Sequence, residues 1–292
     1  MRRLLVLFNP QAHSGSDSEV IAAFERKLRA VGFDAILQPL ETQCDLESLV
    51  AKHKDDCDAI VIGGGDGSIR SALPAILKSR LPLGIWPLGT ANDFARSLEI
   101  ESEDDCIEAL RAWKQRPVDV AEVNGHYFIN NVALGLPLEV AARITPELKR
   151  RLGVFATMAL LPTLWSAAKP FQVEIDADGR SERRMIVAAL IGNGEYEGGF
   201  PIRYSGLADG KLHAVICHAR SRWALIPILC AVAIKRIARS RYIEVFCAER
   251  ISIKTVSRKR IGVDGDVVTE TPANVTLHPS ALQVFSREAR SK

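Results

Sequence analysis

The sequence lacks an apolar run long enough to cross a membrane. A spanning helix needs about 20 consecutive apolar residues. The two most apolar stretches, Gly153 to Ala168 and Trp223 to Ile234, are shorter and are interrupted by Pro162 and Pro227. We therefore expect two buried or interfacial apolar helices. The short run Leu4–Phe8 cannot form the hydrophobic region of a signal peptide and predicts a first β-strand instead.

The sequence also lacks a Cys-x-x-Cys pair, an internal repeat and a low-complexity tract. Its six cysteines are scattered, and its six histidines show no metal-ligand spacing. Disulfide frameworks and zinc sites need closely patterned cysteines, so free thiols in a reducing cytoplasm are predicted.

Neither half of the chain has balanced charge. Residues 1–125 carry a formal net charge of −6, whereas residues 126–262 carry +10. This asymmetry favours contact of the basic half with an anionic surface. The alternative is that the basic residues only keep a domain soluble. No nucleic-acid partner is expected.

The two halves also differ in pattern. Apolar strands alternate with amphipathic helices up to Val118–Val123, which predicts an α/β domain with a doubly wound parallel sheet at residues 1–125. Short strands with frequent turns follow, which predicts a mainly antiparallel, β-sandwich-like domain at residues 126–280 that also holds the two apolar helices. Residues 280–292 are expected to return to the first domain.

A glycine-rich loop follows the apolar strand Ala59–Ile62. The run Gly63-Gly64-Gly65-Asp66-Gly67-Ser68 precedes a predicted helix, Ile69 to Lys78. Exposed amides and a helix N-terminus suit phosphate, although a simple tight turn is the alternative. No Gly-Lys-Ser/Thr closes the loop, so it is not a Walker A motif. A carboxylate at Asp66 would repel phosphate unless a metal ion or a proton transfer requires it.

The second loop, Pro87-Leu88-Gly89-Thr90-Ala91-Asn92-Asp93-Phe94-Ala95-Arg96, makes the assignment more specific. Together with Asn9-Pro10, Gly64–Ser68 and Val263-Asp264-Gly265-Asp266, it resembles the bacterial diacylglycerol-kinase-type lipid kinases, which share a superfamily with NAD kinases. The resemblance covers nearly the whole chain.

The resemblance implies transfer of the γ-phosphoryl group of ATP to a lipid hydroxyl, with Mg²⁺ as cofactor and diacylglycerol as the leading acceptor. It also implies a catalytic role for Asp66, whose repulsion of phosphate a bound Mg²⁺ would reverse. The implied nucleotide-binding residues are Asn9, Pro10, Thr42, Gly64, Gly65, Asp66, Gly67, Ser68, Gly89, Thr90, Asn92 and Asp93.

Asp266 stands where this family usually has Glu and is the first candidate for the general base. Asp264 is the alternate, since it would project to the same face if the segment were extended. A hairpin turn at Asp264-Gly265 is the structural alternative. The resemblance further implies a second Mg²⁺ site with Asp209 and the carbonyls of Gly206 and Lys211. The family's usual Asp after this run is His213 here.

Basic residues border both apolar stretches, which favours peripheral attachment to an anionic membrane on its cytoplasmic side. The alternative is two helices packed on the β domain with solvated ends, and homodimer formation is left open. Other functions are a kinase of sphingoid bases, other glycerolipids or NAD, and a non-catalytic nucleotide- or lipid-binding relative.

Overall fold

The computed structural model describes residues 1–12, 18–41, 45–141, 165–193, 196–197, 200–201, 206–228 and 240–287. By its internal contacts the chain divides into two compact units. The first unit is Met1–Val120, Gly194–Asp209 and His278–Lys292, and the second is Ala121–Asn193 and Gly210–Leu277. Both units are discontinuous in sequence, whereas the predicted domains 1–125 and 126–280 are continuous stretches. Those limits stay a prediction.

The first unit contains a parallel sheet with helices in the connections. Its elements begin with β1 (Arg2–Phe8), α1 (Ser18–Ala30), β2 (Phe33–Pro39), α2 (Leu46–His53), β3 (Ala59–Gly64), α3 (Asp66–Ser79), β4 (Leu83–Pro87), α4 (Asp93–Ser97), α5 (Glu103–Ala112) and β5 (Gln115–Val123). The strand order β2-β1-β3-β4 is parallel throughout. α1 contacts α5, and α2 contacts α3.

The sequence pattern explains this unit. β1 and β3 are continuous apolar strands whose interior residues are fully buried, as expected for strands of a parallel sheet covered on both faces. Trp86 of β4 stacks on Phe24 of α1 with ring centroids 3.9 Å apart. Its indole N–H donates to Glu103 at 3.2 Å. One side chain therefore joins a strand and two helices.

The second unit is mainly antiparallel. The elements after β5 are β6 (His126–Phe128), β7 (Asn131–Gly135), α6 (Leu136–Ala141), β8 (Phe171–Ala177), β9 (Arg180–Gly192), β10 (Tyr196–Glu197), β11 (Phe200–Pro201), β12 (Leu212–His218), β13 (Ile243–Ala248), β14 (Arg250–Thr255), β15 (Arg260–Val263), β16 (Asp266–Glu270) and β17 (Ala273–Phe285). β10 and β11 lie in the part of the chain assigned to the first unit.

In the second unit the strand order is β16-β15-β7-β9-β8-β14-β17, with β12 between β9 and β13. Each of these pairs is antiparallel. Alternate residues of the strands form one buried apolar cluster that includes Val132, Ile191, Ile253 and Val275. β17 ends in the first unit, where Val284 pairs in parallel with Leu83 of β4.

These elements confirm the predicted fold class, an α/β unit with a parallel sheet and a mainly antiparallel β unit. The segment Tyr127–Asn131, whose alternating pattern predicts a single strand, is instead split between β6 and β7. Most of the two predicted apolar helices lies outside the described residues. Of these stretches the structure describes helical residues 165–167 and a 3₁₀ turn, Arg222–Ala224, that continues as helix to residue 228.

Candidate nucleotide-binding site

Three loops of the first unit begin at the same edge of its sheet. β1, β3 and β4 are neighbouring parallel strands, and their last residues are in register, with Phe8 opposite Gly63 and Gly64 opposite Pro87. The backbone N–H of Asn9 donates to Gly63 O at 2.7 Å, and that of Leu88 donates to Gly64 O at 3.1 Å. The predicted nucleotide loops therefore leave the sheet side by side, at the edge where open α/β sheets bind ligands.

Asn9 links the first loop to the second. Its side-chain NH₂ group donates to the Ser68 hydroxyl oxygen at 3.1 Å, while its side-chain oxygen Oδ1 accepts the Gln11 N–H at 2.9 Å. Ser68 is 9% exposed. Because the Ser68 oxygen is used as an acceptor, its hydroxyl proton remains available to a ligand.

Asp66 joins the second loop to the third. It is the first residue of α3, and its two carboxylate oxygens accept the backbone N–H groups of Asp93 at 3.0 Å and Phe94 at 2.9 Å. These residues begin α4, so the carboxylate orders the start of that helix. Each oxygen has further lone pairs that a metal ion or a proton could use. The predicted catalytic role of Asp66 stays a prediction, and sequence reasoning missed its structural role.

Two glycines allow the loops to meet. A Cβ on Gly89 would lie 2.5 Å from the Cα of Gly65 and 2.5 Å from Oδ1 of Asn92, and a Cβ on Gly64 would lie 2.4 Å from the Ser68 hydroxyl oxygen. Real Cβ atoms do not come so close, so these positions need glycine.

Gly67 differs from these glycines, because a Cβ there would have no atom within 4 Å. It lies in the first turn of the 14-residue helix α3, where Ser68 and Ile69 already donate to Gly65 O. The N–H groups of Asp66 and Gly67, the first two residues of the helix, have no intrahelical acceptor, and they bond to no other acceptor among the described residues. An open space beside such amides at a helix N-terminus fits the phosphates of a nucleotide.

The third loop ends in an asparagine with left-handed backbone. Asn92 has φ 50° and ψ 44°, and its side-chain amide donates to Gly89 O at 2.8 Å. Its Oδ1 is buried and has no hydrogen-bond partner within the described ranges. Thr90 is exposed, whereas Asp93 is only 6% exposed. Of these two predicted nucleotide ligands, Thr90 has the accessible side chain.

A magnesium ion at this site would have few protein ligands. Within the described part of the chain, no three His, Cys, Asp or Glu side chains come together as a metal site. Mg²⁺ is commonly held by one or two carboxylates together with substrate phosphates and water. The spare lone pairs of Asp66 fit that mode of binding. Thr42, the remaining predicted nucleotide ligand, lies outside the described residues.

In the second unit, Asp264 lies in a tight turn and Asp266 directly follows that turn. β15 ends at Val263, β16 begins at Asp266, and these two residues pair across the hairpin. Asp264 has φ 47° and Gly265 has φ 96°, the pattern of a two-residue hairpin turn. Residues 264 and 265 therefore form a hairpin turn and not the extended segment on which the alternate, Asp264, depended. The general-base role of either aspartate stays a prediction.

The two carboxylates differ in surroundings. The Asp264 carboxylate accepts the backbone N–H groups of Ile129, Asn130 and Asn131 at 3.5, 3.1 and 2.9 Å. It therefore holds the segment between β6 and β7 in place. Asp266 is exposed at the start of an edge strand. Exposure leaves Asp266 accessible to a substrate.

The predicted second metal site contains one carboxylate. The Gly206 N–H donates to the Asp209 carboxylate at 3.2 Å, which closes a short turn, and Lys211 is exposed. This site stays a prediction. His213, which replaces the family's usual Asp, is 6% exposed in β12, and its Nδ1 lies 3.3 Å from Sγ of Cys247.

Two family models match the chain. The diacylglycerol kinase catalytic domain matches residues 3–123, and the YegS C-terminal NAD kinase beta sandwich-like domain matches residues 139–286. The chain belongs to the diacylglycerol-kinase-type lipid kinase family. It is thereby assigned to the phosphotransferases with an alcohol group as acceptor.

Individual members of this family resemble the chain over most of its length. A protein of Bacillus subtilis (strain 168) named diacylglycerol kinase is 27% identical over 279 residues, which cover 91% of this chain and 90% of that protein. A proposed lipid kinase of Staphylococcus haemolyticus is 27% identical over 80% of this chain and 78% of its own. The crystal structure of a proposed diacylglycerol kinase from Bacillus anthracis str. Sterne superposes with a TM-score of 0.83 at 28% identity, covering 99% of this chain and 96% of that one.

Family membership confirms the resemblance inferred from the loop motifs and leaves the roles of single residues as predictions. None of the helices in the described ranges is long and apolar enough to cross a membrane. The basic clusters predicted to border the apolar helices are 149–151 and 235–241, and of these only residues 240 and 241 are among the described residues.

Proposed function

We propose that this protein transfers the γ-phosphoryl group of ATP to the hydroxyl group of a lipid, with diacylglycerol as acceptor and phosphatidic acid as product. The observation that carries the proposal is the joining of three parallel strand ends through Asn9, Asp66 and the Gly65–Gly89 contact. Phosphoryl transfer depends mainly on positioning and on neutralising phosphate charge, and a rigid set of amides supplies the positioning.

The nucleotide phosphates are held by the second and third loops in this proposal. The Gly67 amide and the Ser68 hydroxyl donate to phosphate oxygens, and the exposed Thr90 hydroxyl adds a third donor. Mg²⁺, when bound, would offset the repulsion between phosphate and Asp66, which would hold it through its unused lone pairs.

Asp266 is the proposed general base. Its carboxylate is exposed, whereas Asp264 already accepts three backbone N–H groups. Three acceptor positions of Asp264 are thus occupied, which leaves fewer of them for the hydroxyl group of a substrate. In this proposal Asp266 takes the proton of the acceptor hydroxyl as the oxygen attacks phosphorus.

The pair of aspartates gives a test of this assignment. Asp266→Asn should lower kcat by about 10²- to 10⁴-fold, the usual contribution of a general base, when assayed well below its melting transition. Asp264→Asn should instead lower the melting temperature, because buried backbone donors lose a charged acceptor. Equal activity of Asp266→Asn and the unmodified protein would refute the assignment.

The proposed activity is tested with [γ-³²P]ATP, Mg²⁺ and a lipid panel in mixed micelles. Labelled phosphatidic acid from diacylglycerol is expected, and labelled product from sphingoid bases or another glycerolipid would change the acceptor. A parallel assay for NADP formation from NAD tests the soluble acceptor. Calorimetric binding of ATP without turnover of any acceptor would refute the proposal in favour of a non-catalytic relative.

A further inference from the structure

Three exposed apolar side chains gather at one place in the second unit. Met185 is 38% exposed, Trp223 is 68% exposed and Ile226 is 50% exposed. Met185 and Trp223 line a groove of about 700 Å³, and Ile226 lies one helical turn beyond Trp223. Within the described residues only Met1, Val256 and Val267 are exposed in the same way. Grouped exposed apolar side chains mark an interaction site more often than single ones do.

Positive charge surrounds these side chains. Arg183 and Arg184 line the groove, but each is paired: Arg183 with Glu174, and Arg184 with Glu182 and Glu244. Burial alone would raise the pKa of Glu244, but hydrogen bonds from Arg184 and His218 lower it, so its charge persists beside Arg184.

Two further guanidinium groups are not neutralised by a carboxylate among the described residues. Arg220 and Arg222 are exposed, and within the described ranges neither makes an ion pair or a side-chain hydrogen bond. Arg220 lines the groove together with Trp223, and Arg222 directly precedes Trp223 in the 3₁₀ turn. Both supply positive charge that the paired arginines do not.

A packed base holds the exposed side chains outward. The Trp223 ring packs edge-on against Trp165, with centroids 4.8 Å apart. Its neighbours Ala224 and Leu225 are buried in an apolar cluster, and the Ala219 N–H donates to Met185 O at 3.0 Å, which ties this segment to β9. The exposure of Trp223 is therefore built into the fold.

We propose that Met185, Arg220, Arg222, Trp223 and Ile226, here named the Trp223 patch, dock on an anionic phospholipid bilayer. Tryptophan beside aliphatic side chains suits the headgroup level of a membrane, where one end of the ring is apolar and the other is hydrated. The guanidinium groups of Arg220 and Arg222 bind lipid phosphates, which they can contact with two parallel N–H groups. A soluble acidic protein would match the charge but would not require three adjacent apolar side chains.

Vesicle sedimentation without ATP tests the patch directly. The protein should bind phosphatidylglycerol-containing vesicles more tightly than pure phosphatidylcholine vesicles, and added salt should weaken this binding. Arg220→Ala/Arg222→Ala should weaken it by about 30-fold, given the usual contribution of each basic residue near an anionic surface. Trp223→Ala should weaken it at least about tenfold and remove the fluorescence blue shift on binding.

Matched controls lie in the same unit at the far end of the β8–β9 hairpin. Arg180 and Arg250 are exposed, and neither makes a side-chain hydrogen bond or ion pair among the described residues. Arg180 pairs with Ala177, which also pairs with Ile251, whereas Met185 lies five residues further along β9 and pairs with Gln172. Arg180→Ala/Arg250→Ala makes the same change in charge away from the patch and should leave vesicle binding unchanged. Trp223→Ala removes a ring contact with Trp165, so the melting temperature of this variant is measured to check that it is folded. Arg220→Ala/Arg222→Ala provides a second test that removes no packed side chain.

The Trp223 patch would be the surface with which the proposed lipid kinase contacts the membrane. This role rests on the proposed function, but separate measurements test the membrane contact and the kinase activity. Patch variants should phosphorylate water-dispersed short-chain diacylglycerol normally and lose activity only on bilayer substrate. If vesicle binding depends on the patch but no lipid is phosphorylated, the membrane-docking role of the patch is supported and the proposed kinase activity is refuted.

Three results would refute the proposed membrane-docking role of the patch. They are vesicle binding unaffected by either set of variants, equal binding to pure phosphatidylcholine vesicles, and a self-associated state that Trp223→Ala converts to monomer without affecting vesicles.

Discussion

Replacing Asp66 by Asn tests both roles of this residue. The carboxylate accepts two backbone N–H groups, from Asp93 and Phe94. Asn keeps one oxygen acceptor and turns an NH₂ group toward the other N–H. Hydrogen bonds to a charged acceptor are worth about 1.5–3 kcal/mol, so losing one should weaken the local structure by about 1–3 kcal/mol. The Asp66→Asn variant is therefore not expected to be structurally silent.

Hydrogen exchange and kinetics separate the two consequences. The amides of Asp93 and Phe94 should exchange about 5- to 150-fold faster in Asp66→Asn, which is the same local free energy expressed as an equilibrium constant. If Asp66 also acts in phosphoryl transfer, kcat/KM should fall by at least about 100-fold at a temperature well below the melting transition.

Ser97→Ala is a matched control for local destabilisation. The Ser97 hydroxyl donates to Asp93 O at 3.0 Å, so the change removes one neutral hydrogen bond from α4, about 1 kcal/mol, without altering the carboxylate. Its activity should stay within a few-fold of the unmodified protein. Slow exchange at Asp93 and Phe94 in Asp66→Asn would refute the structural role. Activity within a few-fold in the same variant would refute the catalytic one.

Three further outcomes follow from other parts of the structure. Gly89→Ala should raise the KM for ATP at least about tenfold and lower the melting temperature, since its Cβ would lie 2.5 Å from the Cα of Gly65. Partial burial alone would raise the pKa of Asp105, but hydrogen bonds from Ser102 and the backbone and the charge of Arg287 lower it below the unfolded value of about 3.9. The stabilisation is thus present above pH ~3.9 and lost as pH falls through the folded pKa, so urea titrations of Asp105→Asn should show a shallower loss below that pH. Burial raises the pKa of Cys217 to about 11, whereas Cys247 is exposed, so iodoacetamide and peptide mass mapping should label Cys247 well before Cys217.

The parallel unit was predictable because its signals are local. Continuous apolar strands such as Ala59–Ile62, each followed by glycine or polar residues, specify both the strand type and the edge at which the loops gather. The loop from Pro87 to Arg96 then identified the family, and the family models agree.

The contacts made by individual side chains could not be predicted. Asp66 binds amides 27 and 28 residues away, and no local pattern encodes such a pairing. The extended geometry expected for Asp264 failed because an Asp-Gly pair in a hairpin adopts positive φ at both positions. Trp223 was counted as part of an apolar helix, yet 68% of it faces solvent. Periodicity predicts that a residue is apolar and helical but does not fix which face remains uncovered.

The last long strand, β17, limits where the chain can be cut to express a single unit. β17 starts by pairing with β14 and finishes beside β4, where Phe285 is fully buried and its ring lies 4.7 Å from that of Trp113. An expressed fragment cut at the family boundary near residue 123 would leave Leu83 without its neighbour and Trp113 without its ring partner. Supplying the missing strand as a peptide that covers 278–287 should rescue such a fragment, much as two halves of a split enzyme reassemble.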